Sequence, residues 1–489
     1  MSSDGPDAIV VGSGPNGLAA AITLARAGRS VIVYEGAETV GGGMRSAELT
    51  LPDYIHDVCS TVQGTSVASP FFAGLDLAQY GVELVHPPIP LAHPLDDGRV
   101  ALLERSVEAT AAGLGVDGPA YVRLLGPLVR DADEILPYIL GPSLRVPRHP
   151  LAVARFGLPA LWPAATLARR SFRDDPARAL FGGLCTHSML ALDRVATSSF
   201  GLVLAMTAHA FGWPVVRGGT QRLADALAAE FRALGGEIIT GHPVATLDDL
   251  PAARAILFDT TPRALVAIAG PRLQGRYRRR LAGFRYGPGV VKVDWALDGP
   301  IPWRAEGAAR AGTVHVGGTL AEITAAEAEV GRGGHPQRPF VIVVQASRFD
   351  PSRAPEGKHT GWAYCHVPNG STVDMSDRIE RQIERFAPGF RDLILARSVR
   401  LPADLERENP NYVGGDINAG IEDVRQLFTR PVARLDPYST PARGIYLCSS
   451  STPPGGGVHG MSGVWAARSA LRREFGTPAE GHEGSGQRS

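Results

Sequence analysis

Cysteine is scarce in this chain of 489 residues. Cys59, Cys185, Cys365 and Cys448 lie far apart, with no C-x-x-C and no C-x-x-x-x-C pair. That spacing argues against structural zinc, a disulfide framework and dithiol relay chemistry, and no metal site is expected. Lysine is scarcer still. Lys292 and Lys358 are the two lysines among 49 basic residues, which makes a lysine in an apolar stretch worth attention. Net charge is missing too: 49 acids balance 49 bases, which argues against nucleic acid as a partner. No run of 18 uncharged apolar residues occurs, so no helix is expected to span a membrane. The opening M-S-S-D-G-P-D has neither the basic nor the apolar region of a signal peptide, and a reducing cytoplasm is the expected compartment. Internal repeats are absent.

What is present begins at residue 8. Ala8 to Val11 read as a strand, Gly12, Gly14 and Gly17 form a G-x-G-x-x-G turn through Pro15 and Asn16, and Leu18 to Ala27 continue as a helix. The pattern suits a dinucleotide: Gly12 permits the turn, Gly14 lets a pyrophosphate approach the backbone, and Gly17 lets helix and strand pack closely. Free amides and the dipole at the helix start favour phosphate. A second strand, Ser30 to Tyr34, ends in Glu35, where a carboxylate can bond ribose hydroxyls. A solvated strand-end residue is the plainer alternative for Glu35.

Further on, E-T-V-G-G-G-M-R-S (38–46) offers a side-chain-free backbone beside an arginine, suited to a flat or charged ligand or to an ordinary turn. Residues 47–106 alternate short strand-like runs with proline-rich turns such as H-P-P-I-P-L-A-H-P. From 107 to 212 the pattern is helical, over Tyr121–Leu140, Leu151–Phe172 and Asp193–Phe211. The stretch 150–170 is apolar with arginines, and Pro159 and Pro163 break a straight helix. It suits a buried core segment, a lid, or peripheral contact with the inner face of a membrane. The α/β rhythm returns at 213–244, with a helix Gln221–Leu234 and strands Glu237–Thr240 and Ala255–Phe258. Residues 283–431 read as an antiparallel sheet with helices, including strands at 290–297 and 339–347 and a helix Ser376–Phe386. Strand Ile445–Cys448 then enters a Gly/Pro loop before a helix near Met461.

The opening motif, E-x-x-x-x-x-G-G-G-M-R (35–45), R-G-G-T-Q-R-L-A-D-A-L (217–227) and Y-L-C-S-S-S-T-P-P-G-G-G-V-H-G-M-S-G (446–463) resemble the phytoene desaturase-like FAD oxidoreductases of the flavin amine oxidase superfamily. The nearest branch is the pyridine nucleotide-disulfide oxidoreductase domain-containing protein 2-like one, whose redox-cysteine name does not fit this chain. The resemblance covers nearly the whole sequence in order. It implies an α/β fold: a Rossmann-like FAD-binding domain with a mixed parallel sheet built from 1–60, 213–275 and 436–475. A substrate domain of antiparallel sheet would come from 61–212 and 276–435, with a helical insert at about 107–212. Separately, the polar, glycine-rich composition of 476–489 predicts a disordered tail. The resemblance also implies non-covalent FAD, with Gly12, Gly14, Pro15, Asn16 and Gly17 at the pyrophosphate and Glu35 at the ribose. Gly42, Gly43, Met44 and Arg45 would lie near the ribityl chain, and the backbone of Val244 would bond the adenine. Gly456, Gly457, Val458, Gly460, Met461 and Ser462 would approach the flavin, with the amides of Met461 and Ser462 facing its pyrimidine carbonyl. Two departures stand out: a shorter stretch after Val244, and Ser449 and Ser450 where glycine is common.

For chemistry, alternation along V-V-K-V-D-W-A-L puts Lys292 and Asp294 on one face and Val291, Val293 and Trp295 on the other. The resemblance implies that Lys292 holds water near the flavin; pairing with Asp294 at a domain seam is the alternative. His459 could act as acid or base or simply pack the loop. His187 and His209, in apolar helices, fit core histidines. Without a second G-x-G-x-x-G, a nicotinamide would only visit. The expected activity is removal of hydride from a small apolar substrate, isoprenoid, polyene or natural product, with oxygen, a quinone or another acceptor closing the cycle. Amine oxidation, redox-neutral polyene isomerisation and a non-catalytic flavoprotein scaffold are the rivals, and the oligomeric state stays open.

Overall fold

The computed structural model describes residues 5–143 and 145–477. The tail expected from 476 onward lies outside the described residues from 478.

Two sheets organise the chain. The first has five parallel strands in the order Ile445–Leu447, Ala255–Phe258, Ala8–Val11, Val31–Tyr34, Glu237–Ile239. Parallel strands are covered on both faces, which is why Ala8–Val11 is buried throughout. Ala8 and Val10 face helices Pro15–Arg26, Gln221–Ala233 and Met461–Glu474, while Ile9 and Val11 face Leu265 of Pro262–Ala269 and Tyr277 and Leu281 of Gly275–Ala282.

The second sheet has seven strands: Ile394–Arg400, Gly289–Leu297, His359–Val367, Val341–Val344, Ala311–Val316, Ile89–Pro94 and Val100–Leu103. Pairing is antiparallel except between Ala311–Val316 and Ile89–Pro94. Val291, Val293, Trp295, Ala363 and Cys365 line one face and pack on Ile379, Ile383 and Phe386 of helix Ser376–Phe386. The opposite face carries Lys292, Asp294, Trp362, Tyr364 and His366. Lys292 stands directly across from Tyr364, and Asp294 from Trp362.

Several boundaries differ from the sequence reading. H-P-P-I-P-L-A-H-P is not a proline-rich turn; its Ile89–Pro94 is a fully buried strand in the second sheet. His359–Val367, nine residues long, has no counterpart in that reading. Its inward face is Thr, Trp, Tyr and His, so polar–apolar alternation does not mark it. The helical run 121–140 splits into Gly118–Arg130 and Ala132–Ile139, with Pro127 and Pro137 inside them. Residues 150–171 form Pro150–Ala160 and Ala164–Ser171, bent by 100°. The helix expected from Asp193 starts at Ser198, after Ala196 takes φ +70°. The segment 339–347 is a shorter strand followed by a 3-10 turn, Ala346–Arg348.

Candidate active site

The first sheet delivers its glycine turn at the strand ends. Gly12 takes φ +99°, a region that side chains avoid, and a Cβ there would lie 2.9 Å from the Asp259 carbonyl oxygen. Pro15 opens the following helix, where its missing N–H costs nothing. A Cβ at Gly17 would run into the Gly12 carbonyl. The Gly17 N–H donates to Asp259 Oδ2 at 2.8 Å. Burial, joined by the nearby charge of Glu35, raises the Asp259 carboxyl to about 7, against the lowering effect of the Gly17 and Gly14 amides. Sequence reading passed over Asp259. An acid at the C-terminal end of a strand beside the glycine turn was the available signal.

Glu35 is neither free nor merely solvated. Its Oε2 accepts from Ser13 N at 2.8 Å and Ser13 Oγ at 2.5 Å, and its Oε1 accepts from Ala37 N at 2.8 Å. The carboxylate is thus aimed, and it keeps lone pairs for further donors. His242 N donates to the Glu35 carbonyl at 2.9 Å, which brings the segment leading to half-buried Val244 to the same strand end. The 3-10 turn Gly42–Met44 lies against the glycine loop: Gly41 N donates to Ser13 O at 3.0 Å, and a Cβ at Gly42 would sit 3.1 Å from Gly14 Cα. The Met44 side chain is fully buried in the core, so only its backbone can meet a ligand. Arg45 braces its own turn, with Nε donating to Gly42 O at 3.0 Å and a terminal nitrogen donating to Glu408 O at 2.9 Å.

The distant loop 456–463 joins this turn. A Cβ at Gly463 would collide with the Asn16 carbonyl, so helices Pro15–Arg26 and Met461–Glu474 meet backbone to backbone. Asn16 Nδ2 donates to Ser450 Oγ at 3.2 Å, giving that serine a partner where glycine was expected. The Val458 carbonyl accepts from Ser66 Oγ at 2.7 Å. His459 is buried, its Nε2 bonds Gly455 O at 3.1 Å, and its Nδ1 accepts from Met461 N at 3.0 Å. Desolvation lowers it to about 4. A neutral ring with both nitrogens engaged holds the loop and has no free atom for proton exchange. The Met461 amide, expected to face a ligand, is the one it occupies.

On the second sheet, Lys292 Nζ pairs with Asp294 Oδ1 and donates to Asp57 O at 3.2 Å, and it lies 5.1 Å from the Trp362 ring centre. Desolvation lowers Lys292 to about 8, with Asp294 pulling the other way. Arg400 bonds Asp294 Oδ2 at 2.8 Å. Asp57, at the end of the hairpin Ser46–Glu48 and Ile55–Asp57, takes Thr220 N at 2.8 Å and Arg353 at 3.1 Å. Arg353 is buried and also bonds Asp350 Oδ2 at 2.7 Å. The pairing of Lys292 with Asp294 is therefore real and sits at the seam between the two sheets.

The seam is not closed everywhere. Met189, Val290, Leu405 and Tyr412 pack together with Cys59, Tyr364 and Ile417, yet those last three are only half-buried although they lie deep in the fold. They border open space. Trp362 and Tyr364 are stacked nearly parallel, with centres 5.9 Å apart. Beyond them, His187 and His315 face each other with Nε2 atoms 3.3 Å apart, and His366 bonds Glu327 at 2.9 Å. His209 bonds Tyr121 Oη at 2.7 Å within the helical layer. Among the described residues no group of His, Cys, Asp and Glu is arranged to hold a metal.

The NAD(P)-binding Rossmann-like domain family matches residues 10–72. Pyridine nucleotide-disulfide oxidoreductase domain-containing protein 2 of Mus musculus is 27% identical, over 95% of this chain and 93% of its own length. Hydroxyneurosporene desaturase of Cereibacter sphaeroides is 32% identical over half of each chain. This chain is an oxidoreductase with a Rossmann-like dinucleotide-binding region. The oxidoreductase shares its fold with a putrescine oxidase, at TM-score 0.63 and 19% identity, over 95% of this chain and 98% of the other. No single helix among the described residues of the oxidoreductase is long and apolar enough to cross a membrane.

Proposed function

We propose that the oxidoreductase holds FAD non-covalently and removes a hydride equivalent from an apolar organic molecule, leaving a C=C bond or a related oxidised product. The supporting observation is the half-buried wall of Cys59, Tyr364 and Ile417 beside Lys292, an apolar recess at the seam between the dinucleotide fold and the second sheet.

The residues present suit that cofactor. The glycine turn and the Gly42–Met44 turn meet through bare backbone, a Cβ at Gly42 lying 3.1 Å from Gly14 Cα, which keeps side chains away from the strand ends where a pyrophosphate would bind. Glu35 is aimed for a ribose, the Val244 backbone for an adenine, and the start of helix Met461–Glu474, through Ser462, for a carbonyl that gains negative charge. A flavin bound there supplies the hydride acceptor. The chain excludes water with Met189, Leu405 and Tyr412, orients an apolar body against Tyr364, and keeps an amine able to hold or move a proton at Lys292 Nζ. Oxygen, a quinone or another acceptor would close the cycle.

Amine oxidation is the second reading, favoured by the parallel Trp362 and Tyr364 rings. Against it, the carboxylates of Asp294 and Glu408 are already paired with Lys292 and Arg400, which leaves none of them free for a cationic amine. Anaerobic bleaching of the yellow protein decides between them, with polyenes, saturated isoprenoids, amines and NAD(P)H tested in parallel. Bleaching by an isoprenoid or polyene supports desaturation, bleaching by amines alone overturns it, and isomerised polyene without bleaching favours the isomerase. Protein that binds no flavin overturns the cofactor assignment.

A further inference from the structure

Lys292 is buried, yet a group that holds or moves a proton must exchange it with water. Its neighbours decide the route. The Asp57 carbonyl oxygen beside Lys292 Nζ only accepts, and the Trp362 ring face exchanges nothing. Arg400, on the other oxygen of Asp294, is permanently charged and only donates. Asp294 Oδ1 remains, and it has a second neighbour. His56 Nδ1 lies 3.6 Å from this oxygen, the same one that pairs with Lys292. No hydrogen-bond partner engages that ring nitrogen, although the residue is buried. The other nitrogen, Nε2, lies 2.8 Å from Thr50 Oγ1. Thr50 is half-buried in the turn between Ser46–Glu48 and Ile55–Asp57, a turn that also carries exposed Pro52 and Asp53. One imidazole ring thus stands between a sealed carboxylate and the protein surface. Among these neighbours it alone can take a proton at one nitrogen and release one at the other. The carboxylate beside Nδ1 favours N–H there, so Nε2 accepts from the Thr50 hydroxyl. Burial lowers His56 to about 4, which keeps the ring neutral and able to accept.

We infer that Thr50, His56 and Asp294 form a proton path between water and Lys292 Nζ. Inward transfer balances. The Thr50 hydroxyl gives its proton to His56 Nε2 and regains one from water. His56 Nδ1 gives its proton to Asp294 Oδ1, across a gap that a small turn of the ring closes, and Asp294 passes it to the Lys292 amine. Water has then lost one proton, the amine has become an ammonium, and no electrons have moved. Tautomer exchange at His56 resets the path, and the reverse order empties it. This use rests on the reading of the chain as a desaturating oxidoreductase: loss of a hydride and a proton from substrate leaves one proton to be carried from Lys292 to water. His56 and Thr50 act through Lys292 and touch no substrate.

Lys292 and Lys358 are the two lysines of the chain, so nitrogen-15 at lysine Nζ gives two ammonium signals. Their rates of hydrogen exchange with water, measured by NMR on the full chain at about pH 6, test the path without any substrate. Thr50→Val and His56→Phe should each slow exchange at Lys292 by roughly tenfold or more and leave Lys358 unchanged. Thr50→Ser, which keeps the hydroxyl, should exchange as the parent does. Thr50 lies near the surface, so its variants remain informative if the His56→Phe protein fails to fold. Equal Lys292 rates in the parent and Thr50→Val proteins overturn the inference and make the recess the route of exchange. Slowing by Thr50→Ser as large as that by Thr50→Val also overturns it, because packing and not the hydroxyl would then set the rate. The signal belongs to the lysine and is read whether or not any substrate bleaches the flavin, so failure of the path and failure of the proposed function are told apart.

Discussion

Gly17 and Asp259 are 242 positions apart, and the amide of one donates to the buried carboxylate of the other at 2.8 Å. The helix start that should receive a pyrophosphate is therefore already backed by a protein carboxyl group. Burial raises its pKa from the ordinary range near 4 to about 7, making it a weaker acid. A second anion bound nearby would raise it further, so binding above pH 7 must take up a proton.

FAD affinity should accordingly fall as pH rises above 7, by up to about tenfold per pH unit for one coupled proton. Asp259→Asn should bind with little pH dependence. The raised carboxyl favours the folded state when protonated, so its contribution is lost as pH climbs from about 4 to 7, and the Asn variant should melt higher than the parent at pH 8. Titrations by flavin fluorescence between pH 6 and 9 check this; parallel curves for the two proteins would count against it.

Lys292 is a second titrating group, lowered to about 8 by burial. Its charge is present below that value and lost above it. If Lys292 holds a water used in reoxidation, oxygen-dependent reoxidation should show a transition near pH 8, and Lys292→Met should abolish that transition and slow the step at least tenfold. Identical stopped-flow traces for parent and variant would leave Lys292 only its pairing with Asp294. His459, lowered to about 4, should contribute nothing between pH 6 and 9.

Arg353 is enclosed by Asp57 and Asp350. Removing one partner of a buried ion pair strands the others, at roughly 3–5 kcal/mol. Arg353→Met should lose about that much stability in urea melts, and adding Asp57→Asn should restore part of it. Strict additivity of the two losses would contradict the coupling.

Gly463→Ala should cost about 1–3 kcal/mol through overpacking, because the new methyl meets the Asn16 carbonyl. As that carbonyl belongs to the glycine turn, FAD content of the purified protein should fall as well. Full flavin occupancy with lowered stability would separate the two effects.

How far the sequence could be read follows from where the information lies. Strand Ala255–Phe258 and helix Ser376–Phe386 have the bounds their patterns predict, because each is a short periodic run with clear stops. Ile89–Pro94 and His359–Val367 escaped because proline and a polar inward face hide alternation; their partners, far along the chain, make them strands. Asp57, Arg353, Asp350 and Arg400 carry no local signature at all. Each is an ordinary charged residue until folding removes its water and leaves only the others to replace it.

By itself the sequence determined the glycine turns, the presence of an acid at Glu35 and the chemistry available at Lys292, since backbone freedom and side-chain type are local properties. Tertiary structure decided that Gly463 touches Asn16, that Asp259 backs the phosphate turn, that His459 is consumed by its own loop, and that His56 lies between Asp294 and Thr50. Those outcomes depend on which distant groups share a low-dielectric interior and which are left outside it, and no window of sequence contains that partition.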